Sequence, residues 1–480
     1  MFELWSLVST AHFLIAALVI VSILRHRKEP LAMLAWIFAV LLVPLVGSGL
    51  YILMGADRIR RSARRRRRRL AHLIARVNRQ AERRARRLER VAESSLPADQ
   101  AAIEQIGRRL SHMPATNGNE VRVFQEANET YTALEEAMRS ARDHIHAVYY
   151  IWKADETGRH FRDLLIEKAR TGVECRLLLD AVGCWTLSRR FLRPLTEAGA
   201  QVAFFLPLRP LRKRWSPHLR NHRKIVVCDG HTAFVGSQNI GDEYRGRLQR
   251  LSPWYDSHMR VRGAAALFLQ QTFAEDWLFA TRQDLADERY FPDAPRAGRS
   301  IVQVLPTGPD QDVSALTQLL FAAVSEARSS IRIATSYFVP YAGLLMALIH
   351  AGCRGVQVEL VLPTRSDNPL VLWAGRSFYA ELLEAGVHIY EFDAGMLHSK
   401  IVTVDDRWCM LGSANMDVRS FRLNFEITAL VYDPAVAAEQ SRQIAEYCRR
   451  SRRISLRDAQ HRPLRRQLVE GAARLFAPLL

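Results

Sequence analysis

One arrangement of residues occurs twice in this chain, and it decides most of what the rest can fold into. HRKIVVCDGHTAFVGSQN supplies His222, Lys224, Asp229, Ser237 and Asn239; HSKIVTVDDRWCMLGSAN supplies His398, Lys400, Asp405, Ser413 and Asn415. Both read H-x-K, four residues, D, six residues, G-S-x-N. Each copy stands at the same place in a longer repeat. RSARDHIHAVYYIW (139–152), LLIEKARTGVECRLLLDAVG (164–183) and LTEAGAQVAFF (195–205) are answered by SEARSSIRIATSYFVP (325–340), LMALIHAGCRGVQVELVLP (345–363) and LLEAGVHIYEF (382–392). Each set reads as strands alternating with helices, with Gly172 and Gly355 where a helix C-terminus favours a left-handed residue. The alternation predicts an α/β fold of two similar halves, 120–299 and 300–480, each built on a largely parallel sheet. ADERYFPDAPRAGR (286–299) has the composition of the joint between them.

Spacing gives the motif its chemistry. Residues two apart on a strand share a face, so the His and Lys of H-x-K point the same way. Asp229 and Asp405 close that strand into a turn; they belong to the motif, but a structural role is expected of them. Gly-Ser then opens the next element and brings Asn239 and Asn415 alongside. Histidine can attack or donate a proton, while lysine and an amide bind oxyanions. Taken singly, such a histidine is as easily a structural residue. One half has a nucleophile or an acid, not both; two facing halves supply both, with two lysines and two asparagines around one tetrahedral centre. A phosphoryl group fits that centre. Its transfer needs an in-line nucleophile, a protonated leaving group and positive charge on the non-bridging oxygens. No carboxylate cluster suggests a metal, so neither metal nor cofactor is expected, and the lysines take the part of cations.

The amino terminus reads differently. WSLVSTAHFLIAALVIVSIL (5–24) and LAMLAWIFAVLLVPLVGSGLYILMG (31–55) carry no formal charge. Twenty helical residues extend about 30 Å, one hydrocarbon core. Residues 1–55 are therefore expected to form a transmembrane hairpin; a cleaved signal would have a basic start and a shorter core. Composition enters here: of a formal charge of +19, most comes from 16 arginines against four acids between 57 and 93. The hairpin loop holds only Arg25, Arg27 and Lys28, so the positive-inside rule keeps the body cytoplasmic. Within the basic linker (56–119), Leu70, Leu73, Ile74, Val77, Ala81, Leu88 and Val91 form a helical stripe. It reads either as a helix lying on anionic headgroups or as a solvated stalk. Arg209, Arg212, Lys213 and Arg214 read either as phosphate contacts or as a solvated loop. Six scattered cysteines without a C-x-x-C pair argue against a disulfide framework or a zinc site.

The two motifs resemble the HKD motifs of the phospholipase D superfamily, over roughly 121–432. With the apolar hairpin and its arginines, the chain is similar to bacterial cardiolipin synthases. YYIW (149–152), LLLDAVG (177–183), NHRKI (221–225), TSYFVP (335–340), GMLHSK (395–400) and DVRSFRLNFE (417–426) extend the resemblance. It implies two pseudo-twofold-related α/β/α sandwich halves behind the hairpin, in the bacterial inner membrane. It also implies a reaction. One HKD histidine attacks the phosphorus of phosphatidylglycerol, forming a phosphohistidine and releasing glycerol. The other protonates that glycerol, then deprotonates a hydroxyl of a second phosphatidylglycerol, which attacks to give cardiolipin. His222 is taken as the nucleophile and His398 as the acid/base; the reverse order uses the same groups. By the same resemblance Lys224, Lys400, Asn239 and Asn415 hold the phosphate with Ser237 and Ser413 in support, and Asp256 and Glu426 match the carboxylates that orient the histidines. Where the family commonly has TPYFVPD, this chain has Ser336 and Tyr341, a departure that bears on acceptor specificity.

Phosphatidylglycerol, other anionic phospholipids and the bilayer are thus the expected partners, with no nucleic acid; the oligomeric state stays open. Water as acceptor would make a phospholipase D, a nucleotide substrate a nuclease, and a degenerate site a membrane scaffold. The hairpin favours lipid, and neither motif has lost a residue.

Overall fold

The computed structural model describes residues 2–25, 30–43, 45–54, 64–207, 219–247, 252–311 and 314–476. They belong to two compact units, Met1–Arg66 and Arg67–Leu480. The first holds helices Phe2–Arg25, Pro30–Leu42 and Val46–Met54. Ala16, Val19, Ile23, Val40 and Tyr51 bury their side chains together, and the rings of Trp36 and Tyr51 meet edge to face at 5.4 Å. The second apolar stretch is two helices, not one span. The break flanks Pro44, which has no backbone donor to continue a helix, and Leu45 takes a left-handed φ of 62°. Gly47 lies where any Cβ would collide with the Ala39 carbonyl, so the return after the break needs glycine. Among the described residues no helix is long and apolar enough to cross a membrane. Arg27, Lys28, the arginines at 58–61 and the 209–214 cluster lie outside the described residues.

The second unit is built on one sheet. Its strands are β1 Thr116–Phe124, β2 His144–Tyr149, β3 Glu174–Asp180, β4 Gln201–Phe205, β5 Ile225–Cys228, β6 Thr232–Gly236 and β7 His258–Arg262, then β8 Ser300–Thr307, β9 Ser330–Thr335, β10 Gln357–Pro363, β11 His388–Phe392, β12 Lys400–Val404, β13 Trp408–Gly412, β14 Asn424–Tyr432 and β15 Ser451–Ile454. Their order is β15-β11-β10-β9-β12-β13-β14-β8-β1-β7-β6-β5-β2-β3-β4. Read outward from the central β1–β8 pair, the two halves repeat one order, with β15 added at one edge. The repeat in the sequence is thus a repeat in space.

The largely parallel sheet is a correction. Among the fifteen numbered strands only β2-β3-β4 and β9-β10-β11 pair in parallel; the HKD hairpins β5-β6 and β12-β13 and the strands joining the halves are antiparallel. Helical crossovers impose parallel pairing where they occur, but short turns connect the motif strands, and a short turn can join only antiparallel neighbours.

The basic segment is also corrected. It forms helices Ala71–Ser95 and Ala98–Ser111. Val77, Ala81 and Ala85 are completely buried in the same core as Phe268 and Phe273 of helix Ala265–Thr281. The stripe is thus neither a stalk face nor free to lie on a membrane: small side chains let the helix seat closely on the body, where apolar burial holds it. Arginines on its flanks pair with the body's acids, Arg67 with Asp310 at 2.9 Å and Arg76 with Asp284 at 3.0 Å.

Candidate active site

Each H-x-K segment is held by the half to which it does not belong. Arg220–Asn221 pairs in parallel with Asn424–Phe425 of β14, and the His222 amide donates to the Phe425 carbonyl at 2.9 Å. In the mirror arrangement Met396–Leu397 pairs with Trp254–Tyr255, and the His398 amide donates to the Tyr255 carbonyl at 2.7 Å. Gly236 and Gly412, the motif glycines, face the carboxylate-bearing chain so closely that a Cβ would strike the Ser257 and Ile427 carbonyls. The crossing therefore begins in the backbone.

The side chains complete it. His222 Nδ1 lies 2.9 Å from Glu426 Oε2, and His398 Nδ1 lies 3.0 Å from Asp256 Oδ1. Asp256 and Glu426 are sealed from solvent, while 11% of the His222 side chain and 14% of the His398 side chain stay accessible. The Nδ1 edge is thus tied to a buried acid, and the opposite edge of each ring is left for chemistry.

Two further donors hold each acid. Asp256 accepts from the Ser237 hydroxyl and from Trp254 Nε1 at 2.9 Å. Glu426 accepts from the Ser413 hydroxyl at 2.5 Å and from Asn424 Nδ2 at 3.1 Å. Ser237 and Ser413, expected to support a phosphate, are completely buried, and their hydroxyls donate to the acids. Trp254 and Asn424 were not anticipated. Both stand two residues before the acid, at equivalent places in the repeat, and the i, i+2 rule for one strand face was the signal that points to them.

The lysines lie deep. Lys224 Nζ donates to its own histidine's carbonyl, His222 O, at 2.6 Å; Lys400 Nζ does the same to His398 O at 2.6 Å. Beyond that the halves differ. Lys224 faces the ring of Tyr150 at 5.3 Å, whereas Lys400 donates to Ser336 Oγ at 3.0 Å. Ser336 in turn donates to Asn415 Oδ1 at 2.7 Å, which leaves the Asn415 amide nitrogen with no partner among the described residues. Asn239 is more engaged, accepting from the Ile151 amide at 3.1 Å and donating one of its two N–H to Tyr244 at 3.1 Å. Arg223, between His222 and Lys224, reaches the Glu426 carbonyl at 2.9 Å, Asp276 at 2.6 Å and the Thr307 carbonyl at 3.1 Å, tying the halves together behind the site.

The motif aspartates stand apart from this. Asp229 accepts from the Arg142, Asp143 and His144 amides, and Asp405 from the Arg328, Ser329 and Ser330 amides. Counted with the catalytic residues by motif, they hold the chain ahead of β2 and β9, and neither carboxylate is brought to a histidine.

Burial sets the electrostatics. It lowers His222 to about 4 despite Glu426, and lowers His398 as well, with Lys400 adding to the effect. It also lowers Lys224 to about 7 and Lys400 to about 8, against the pull of Glu426 and Asp256. Burial raises the two acids, but their histidines, lysines and hydroxyl donors outweigh it, holding Asp256 at about 2 and Glu426 below its ordinary value. Lys400 acts on His222, and Glu426 on Lys400, so the charges of both halves share one site.

Two imidazoles, each backed by an acid of the opposite half, with a lysine buried beside each, define the phospholipase D class of phosphodiester-transferring proteins. Residues 134–249 and 320–448 match the family described as "Cardiolipin synthase, PLD-like domain", and residues 14–55 match "Phospholipase D-nuclease N-terminal". A cardiolipin synthase of Geobacillus sp. (strain WCH70) is 36% identical over 459 residues, covering 95% of this chain and 90% of that protein. The major cardiolipin synthase ClsA of Bacillus subtilis (strain 168) is 34% identical over 467 residues, 96% of each. The fold is shared with phosphatidylserine synthase of Haemophilus influenzae Rd KW20, with a TM-score of 0.59 and 16% identity over 80% of this chain and all of that one. The chain belongs to the cardiolipin synthase family, whose members are phosphatidyltransferases.

Proposed function

We propose that the chain joins two molecules of phosphatidylglycerol into cardiolipin, releasing glycerol, by way of a phosphohistidine. The observation that carries the reading is the crossed pairing of His222 with Glu426 and His398 with Asp256. Each pair fixes a tautomer with Nε2 presented to the substrate, as in other sites that seat histidine on a buried acid. His222, neutral at physiological pH, attacks phosphorus through Nε2. The bond from phosphorus to the glycerol oxygen breaks, and His398 supplies that oxygen's proton. A hydroxyl of the second phosphatidylglycerol then gives its proton to His398 and attacks, and the phosphorus–nitrogen bond breaks. The bound phosphodiester's negative charge, with Asp256, favours protonated His398 at the moment an acid is needed. Lys224, Lys400 and the open amide of Asn415 neutralise the non-bridging oxygens.

The uncharged stretches 5–24 and 31–55, followed by arginines, support a membrane-spanning amino terminus with the body on the cytoplasmic side. They also favour lipid over nucleic acid as substrate.

The test is to incubate the full chain with phosphatidylglycerol labelled in the phosphate and resolve the products. Cardiolipin and glycerol should appear in equal amounts, and acid-labile label should be trapped on the wild-type protein but not on His222→Ala. Phosphatidic acid as the main product would make the enzyme a hydrolase. Label trapped on His398 would reverse the two roles.

A further inference from the structure

Among the described residues of the second unit, the densest exposed apolar surface is on helix Leu464–Leu475, with Phe321 and Met346 exposed elsewhere. Leu464, Leu468 and Leu475 are 69%, 64% and 81% exposed, and Phe476, just beyond, is 51% exposed. At 3.6 residues per turn the three leucines fall within an arc of about 40°. Glu470 and Ala473, on the far side of the helix, are buried, so it is seated by its back with the leucines outward. Scattered exposed leucines are ordinary, but a stripe of them is a contact surface.

This helix rests on helix Pro369–Arg376, which adds the 40% exposed Trp373. The residues leading into Pro369–Arg376 lie within electrostatic range of the reacting groups. Asp367 accepts from the Tyr337 hydroxyl at 2.5 Å, and its charge acts on His398 and Lys400. The leucine stripe is therefore one helix away from the site. The other half has a counterpart. Trp185, 76% exposed, follows β3, the strand equivalent to β10, which precedes Trp373. Its neighbour Cys184 donates to the Tyr150 carbonyl at 3.3 Å, and the Tyr150 ring meets His222 edge-on at 4.8 Å.

We propose that Leu464, Leu468, Leu475, Phe476, Trp373 and Trp185 form a rim by which the catalytic body docks on an anionic lipid bilayer. The inference rests on the reading of the substrate as a phospholipid. Charge complementarity selects the bilayer as occupant: exposed Arg465 and Arg474 flank the leucine stripe on its two sides, Arg474 also pairing with Glu381 at 3.3 Å, on a chain of formal charge +19. Leucine flanked by arginine is the composition of helices that lie in a headgroup layer, and tryptophan favours the same depth. Docking there brings the histidines to the level of the phosphodiester. The substrate need not lift its acyl chains into water.

The test uses the full chain and two double variants, Leu464→Asp with Leu468→Asp and Trp185→Ser with Trp373→Ser. Turnover of phosphatidylglycerol is compared in vesicles of phosphatidylethanolamine and phosphatidylglycerol and in detergent micelles. Each variant should lose about tenfold in kcat/KM on vesicles and nothing in micelles, which also shows that it folds. Equal losses in both media, or none in either, overturn the proposal. So does a change of oligomeric state with Leu464→Asp and Leu468→Asp, which would make a second copy the occupant. Brominated phosphatidylglycerol gives a readout independent of turnover: the tryptophan variant should lose part of the quenchable fluorescence, and an unchanged quenchable fraction refutes docking. Were the wild type inactive on every lipid, the functional reading would fail while quenching still decided the surface.

Discussion

Glu426 Oε2 lies 2.9 Å from His222 Nδ1, although 204 residues separate the two and they belong to different halves of the repeat. In the proposed mechanism neither half runs the reaction alone, because each lends its acid to the other's histidine. Glu426→Gln keeps the shape and removes the charge that fixes the imidazole. The expected result is a fall in kcat of about 10³- to 10⁴-fold, the scale of neutralising the buried acid of a histidine-based triad, with little change in KM. Steady-state turnover of phosphatidylglycerol measures it. A loss under threefold would mean that the acid does not orient the histidine.

The pH dependence follows from the same burial. His222 must be unprotonated to attack, and burial puts its pKa at about 4, so the competent form persists far below the ordinary histidine range. The lysines must be protonated to hold the phosphate, and burial puts them at about 7 and about 8. The profile of kcat/KM should therefore rise as pH increases through about 4, where His222 loses its proton, and fall in two stages: first as His398, which must carry a proton and is lowered below its ordinary value, loses it, and then as the lysines deprotonate near 7 to 8, well short of the ordinary lysine value of about 10.4. An acid limb near 6.5, or an alkaline limb near 10, would contradict these environments.

The candidate set was legible because duplication filters chance: one H-x-K means little, but two with the same internal spacing in matching places single out His222, Lys224, His398 and Lys400. Asp256 and Glu426 were reached only through family resemblance. Which acid serves which histidine was not legible at all, since it depends on two-residue strands such as Arg220–Asn221 pairing with the far half. The basic segment was misjudged for a related reason. A stripe such as Leu70, Val77, Ala81 and Leu88 has the same period whether it faces lipid, solvent or a neighbouring helix. The parallel sheet was overestimated because crossover helices are conspicuous in a sequence while hairpin turns such as 229–231 are short.

Ser336 replaces a common family proline, and its hydroxyl bridges Lys400 Nζ at 3.0 Å and Asn415 Oδ1 at 2.7 Å. Ser336→Ala or Ser336→Pro removes both bonds and lets the Asn415 amide turn. A hydrogen bond to a charged group contributes about 1.5–3 kcal/mol, so KM for phosphatidylglycerol should rise at least about tenfold, with a smaller effect on kcat. Ser336→Thr, which keeps a hydroxyl, should restore most of it. If Ser336→Pro matched the wild type in KM, the bridge would have no part in holding the phosphate.

Asp405 separates a structural from a chemical role for the motif aspartates. It adopts a φ of 53° and takes the Ser329 and Ser330 amides at 2.7 and 2.9 Å on one carboxylate oxygen. Asp405→Ala loses those acceptors and places a residue with little tolerance for left-handed backbone at the turn, together worth about 3 kcal/mol of stability. Asp405→Asn keeps the turn, since asparagine tolerates that conformation, but weakens the hold on the amides. Both variants should unfold at lower temperature, Asp405→Ala the more so. Asp405→Asn should retain kcat within about twofold below its unfolding transition, because no catalytic proton passes through the carboxylate. A stable Asp405→Asn enzyme with kcat reduced a hundredfold would return the aspartate to the reacting groups.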